Sequence, residues 1–85
     1  MNTIYQNAAE KEQLRMEIRD DLLQTISLVR EHMRTLCDLY RKFCLAETHD
    51  AEHEISAAIG TAYSEWKQQN KRFEQLHNRL REAAF

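Results

Sequence analysis

Between Ile55 and Ala83, apolar residues recur at alternating steps of four and three: Ile55, Ile59, Ala62, Trp66, Phe73, Leu76, Leu80 and Ala83, with Gln69 as the one polar member. A helix returns side chains to one face at that spacing, and a seam this narrow needs a second helix to cover it. The rest of the chain is therefore read as the source of that cover.

Upstream, Leu22, Ile26, Val29, Met33, Leu36, Tyr40 and Phe43 repeat the same steps, and Leu14 and Ile18 continue them less regularly toward the N-terminus. A neighbouring line of Leu23, Cys37 and Cys44, interrupted by Arg30, widens this apolar face, as do Leu39 and Leu45. A broad face on the first helix and a narrow one on the second imply that the first touches more than one neighbour.

The two ladders are out of phase. Extending the first in steps of seven from Phe43 reaches Asp50 and Ala57, whereas the second begins at Ile55, a slip of five residues. A continuous coiled coil absorbs insertions of three or four, so the slip predicts that the chain doubles back. The expected organisation is one helical domain: a loose leader over 1–7, a helix over 8–46, a turn over 47–50 and a helix over 51–83. Asn7 with Glu10 three residues on has capping-box spacing at the start of the first helix. Thr48 or Asp50 can cap the second, which places Glu52 and Glu54 where the helix dipole favours anions. The rival arrangement is a single unbroken helix, because neither glycine nor proline stands near the turn.

Composition agrees with an all-α chain. The 85 residues include no proline and one glycine, Gly60, so the punctuation of β-hairpins is missing. The fold expected is an antiparallel two-helix hairpin of coiled-coil type. Two rods touch along one line only, which leaves part of the wide first face wet, and dimerisation into a four-helix bundle is the simplest closure.

A net charge of -2 does not favour a general nucleic-acid binder. Runs without a charged residue, Leu22 to Val29 among them, are far too short to span a bilayer, and the first seven residues lack the features of a secretory signal. A cytoplasmic location is expected. Cys37 and Cys44, seven apart on one helix, are too distant to bridge within it and read as reduced, small core residues.

Few motifs carry chemistry. His49-Asp50-Ala51-Glu52-His53 matches the H-x-x-E-H spacing of a zinc peptidase helix, but it straddles the expected turn and brings neither a third ligand nor a cleft. It reads as a solvated polar turn. His32 with Cys37 and Cys44 forms no metal-ligand pattern, and glycine-rich phosphate loops and nucleophile elbows are absent. No enzyme, cofactor, metal or small-molecule substrate is expected.

The second helix is acidic first and basic last, with Glu52, Glu54 and Glu65 followed by Lys67, Lys71, Arg72, Arg79 and Arg81. The main reading is a solvated face whose polarity orients pairing; the alternative is a dimeric bundle that binds nucleic acid through those five cations. Gln69 on the seam is expected to fix register, Trp66 to anchor the core, and Gly60 to be a tolerated imperfection. Function is then that of a protein-protein interaction module, an adaptor, small regulator or co-chaperone. Its contacts to a partner protein or a second copy are expected at Leu22, Ile26, Val29, Met33, Leu36, Tyr40, Ile59, Trp66, Phe73, Leu76 and Leu80.

Overall fold

The computed structural model describes the backbone of residues 2–84 and the side chains of residues 8–83. Two helices, α1 (Asn2–Cys44) and α2 (His49–Ala84), pack antiparallel as a hairpin, and the described residues contain no strand. The turn occupies residues 45–48, so α1 ends two residues earlier than expected and α2 begins two earlier. Leu45 N–H donates to the Arg41 and Lys42 carbonyls, and Ala46 N–H to Phe43, which tightens the last turn of α1.

Thr48 is the cap that the sequence left open between two candidates. Its hydroxyl accepts from Ala51 N–H at 3.1 Å and its carbonyl from Glu52 N–H at 3.0 Å. Asp50 and Glu52 then fall in the first turn, whereas Glu54, expected beside Glu52, lies beyond it because α2 begins two residues earlier. At the other end the structure departs from expectation: α1 begins at Asn2, so Asn7 lies inside the helix rather than capping it. Nothing in Asn2 to Gln6 breaks a helix, and continuation adds one hydrogen bond per residue. Met1 of the expected leader lies outside the described residues.

Two contacts set the pairing register. Arg15 Nε donates to the Ala83 carbonyl at 2.9 Å, serving an otherwise unpaired group in the last turn of α2. Nearer the turn, His32 Nδ1 stands 3.7 Å from Glu65 Oε2. Carrying this register along the hairpin sets Leu36 opposite Ala62, His32 opposite Trp66, Thr25 opposite Phe73 and Ile18 opposite Leu80.

The expected seam of α2 holds throughout, because Ile55, Ile59, Ala62, Trp66, Gln69, Phe73, Leu76, Leu80 and Ala83 are all buried or half-buried. On α1 only half of the ladder does. Leu22, Val29 and Leu36 turn inward, but the residues alternating with them are Ile18, Thr25, His32 and Leu39. Met33 and Tyr40, expected in that role, are 47% and 52% exposed, Ile26 is half-buried and Phe43 is exposed. In this register Thr25, smaller than Ile26, faces the bulky Phe73, and His32 faces Trp66.

Thr25 is the most deeply buried of the described side chains, 2% exposed, and its hydroxyl donates to the Asp21 carbonyl at 2.8 Å, so its burial leaves that hydroxyl paired. Beyond it the buried apolar core is Ile18, Leu36, Ala62 and Leu76. That is one thin line along a rod whose Cα atoms span 72 × 14 × 14 Å. The radius of gyration is 19.8 Å, against about 12 Å for a compact chain of this length.

Candidate protein-docking face

Rotation of α1 leaves its second apolar line outside the hairpin. Leu23, Met33, Cys37, Tyr40 and Cys44 are exposed, with Ile26 half-buried between them and Arg30 as the polar interruption. Cys37 and Cys44, expected in the core, thus stand on the surface as free thiols. Leu39 is half-buried and Leu45 is exposed beyond the end of α1.

This stripe forms one wall of a groove. Met33, Leu36, Cys37 and Tyr40 of α1 face Tyr63 and Trp66 of α2 across a shallow concavity. Tyr63 and Trp66 are three residues apart, so they share a helix face, and their rings lie 5.7 Å apart at a tilt of 35°. Trp66 therefore both anchors the seam and shows an edge to the groove. Toward the middle of α1 the surface becomes mixed, with Leu23 and Ile26 beside Arg30, Glu31 and Arg34.

The same layer holds a defect of the hairpin. Trp66 Nε1, a donor, and Gln69 Oε1, an acceptor, are buried without a hydrogen-bond partner. A register role for Gln69 would rest on a bond across to α1, and its side-chain carbonyl makes none here. Unpaired buried groups of this kind cost about 1–3 kcal/mol each, so this layer is held more weakly than the layers of Leu36 and Leu76.

The other candidates disperse. His49 to His53 fall within the first turns of α2 rather than across the turn, which corrects the expected placement, and His49 Nδ1 stands 3.6 Å from Glu52 Oε2. The His49 side chain is fully exposed, and among the described residues no group of three or more His, Cys, Asp or Glu is placed to hold a metal ion. Lys67, Lys71, Arg72, Arg79 and Arg81 are all exposed but form no single face. At 3.6 residues per turn Lys67, Lys71 and Arg81 lie roughly 130° around α2 from Arg72 and Arg79, and Glu74 sits among the first group.

The exposed stripe was legible as the widening of the α1 ladder. Tyr63 was the residue that sequence reasoning missed, and its place one position beyond Ala62 on the seam was the available signal. Among the described residues no helix is long and apolar enough to cross a membrane. Compared with known proteins, the chain matches no family model, no curated protein and no solved structure.

Proposed function

We propose that the chain is a non-enzymatic interaction module of the cytoplasm, an adaptor, small regulator or co-chaperone, whose working surface is the outer stripe of α1 with the Tyr63–Trp66 wall. The hairpin is completed by further helices, in the simplest case as a four-helix bundle with a second copy. One observation carries the reading: large apolar side chains on one side of α1, Leu23, Met33 and Tyr40, stay in water after the two helices have paired. Area supports it. The chain exposes 7128 Å², whereas a compact monomer of 10.2 kDa exposes about 5,300 Å². The difference is well above the about 800 Å² that each partner covers in a standard interface.

The test compares capture by the wild-type chain and by Met33→Glu from a lysate of the source cells. Proteins retained by the first and lost by the second are expected. Identical recoveries would place the working surface elsewhere, and helix content by circular dichroism must be unchanged for the comparison to count.

A further inference from the structure

The outer stripe of α1 has two unlike halves. Tyr40, Cys37 and Met33, toward the turn, form the wall of the concavity closed by Tyr63 and Trp66. Leu23, away from the turn, is an aliphatic side chain 58% exposed, with half-buried Ile26 beside it in a second, more polar concavity. One half is an apolar hollow and the other presents Leu23 as its knob. A surface that carries both, side by side on one straight helix, is complementary to itself about a two-fold axis perpendicular to that helix.

We infer that the groove is filled by α1 of a second copy of this chain, running antiparallel with the two-fold axis near Glu31. This rests on the reading of the stripe as the working surface and names its partner. Antiparallel helices alternate their seam positions across the interface. With the axis there, Leu23 of each copy meets Tyr40 of the other, Ile26 meets Cys37, and Met33 meets the aliphatic stem of Arg30. The Leu23 knob of each copy thus enters the hollow of its mate.

Charge selects the same alignment. The outer flank of the stripe reads Asp20, Ser27, Arg34, Arg41, acidic at one end and basic at the other. All four are exposed. Antiparallel pairing about Glu31 sets Asp20 opposite Arg41 at both ends and Ser27 opposite Arg34 between them, so no like charges meet along the flank. A slip of seven residues toward the turn sets the two Arg34 side chains against each other. Arg30 is the polar group drawn under the mate beside the axis. It lines a shallow concavity with Met33, Arg34, Cys37 and Asp38, where Asp38 stands 3.9 Å from Arg41, and its methylenes can lie along Met33.

The contact also has the area it needs. From Leu23 to Cys44 the stripe runs about 32 Å at 1.5 Å per residue, and the excess exposure described above exceeds one partner's share of a standard interface.

Sedimentation equilibrium of the full chain tests the pairing. The wild type is expected to be a dimer at about 100 µM and Met33→Lys, which sets a second cation against Arg30 of the mate, a helical monomer, its self-association weakened at least about 100-fold. Asp20→Arg should weaken association about tenfold, and adding Arg41→Asp should restore it. Register is read by cross-linking: with Cys44→Ser as background, Ile26→Cys should give a disulfide-linked dimer through Cys37 under mild oxidation, whereas Cys44→Ser alone should not. A wild-type monomer at that concentration, a dimer indifferent to Met33→Lys, no rescue by the charge swap, or cross-linking without Ile26→Cys each overturns the proposal. A monomeric wild type whose captured protein is lost with Met33→Glu overturns self-pairing and leaves the interaction-module reading standing.

Discussion

The two apolar faces of α1 are similar in composition and opposite in fate. The inner one, Ile18, Leu22, Thr25, Val29, His32, Leu36 and Leu39, contains a threonine and a histidine and is covered by α2. The outer one contains Ile26, Met33, Tyr40 and two cysteines with a single arginine, and it is largely bare. Summed along the line the inner face is the more apolar, with five aliphatic side chains, whereas the outer one has Leu23 and Ile26 beside the charged Arg30. The difference teaches that burial follows the whole line and not its single rows: Thr25 and His32 are carried inside with their aliphatic neighbours, opposite Phe73 and Trp66, and Met33, Tyr40 and the cysteines are left over for something else.

That contrast can be broken by mutation, and the largest effect should come from the inner face. Leu36→Ala removes a side chain 6% exposed and should cost about 2–4 kcal/mol in urea unfolding. An equal loss from Met33→Ala at high dilution would erase the distinction between the faces. Gln69→Leu should stabilise the hairpin by about 1–2 kcal/mol, because it removes a buried amide whose oxygen has no partner. A lower midpoint instead would show that the amide is bonded in the working assembly. Thr48→Ala should cost about 1 kcal/mol through the lost cap to Ala51; an unchanged melting temperature would mean that the turn is held by packing of its flanks alone.

Gly60→Ala should raise stability by up to about 1 kcal/mol, since a Cβ there meets nothing within 4 Å and the backbone is helical. Destabilisation seen only at concentrations where copies associate would place a neighbouring chain against Gly60. Smallest of all, Met33→Ala in dilute solution should move the unfolding free energy by less than about 0.5 kcal/mol. Its effect should grow with protein concentration in the dimeric range.

Much of the fold was legible. The five-residue slip correctly announced a reversal, and every member of the α2 seam is covered, because a two-row stripe on an otherwise polar helix leaves one orientation open. Thr48 was one of two caps in view, and the dipole-favoured Glu52 stands in the first turn. The α1 ladder was read one residue out of phase in alternate rows. Ile26, Met33 and Tyr40 outscore Thr25, His32 and Leu39 by side-chain type, and a one-residue change rotates the buried line by roughly 100°. The candidate face was therefore half visible: its α1 wall lay in the sequence as an excess of apolar positions, whereas Tyr63 joined it only when the neighbouring helix arrived.

By itself the amino-acid sequence determined that the chain is helical, that it reverses near residue 48, and which face of α2 is hidden, because periodicity and phase are properties of one strand of text. Which face of α1 meets α2 was decided only by the tertiary structure. Two helices can approach only as closely as their side chains allow, and that depends on pairs of residues some forty positions apart whose sizes must fit together.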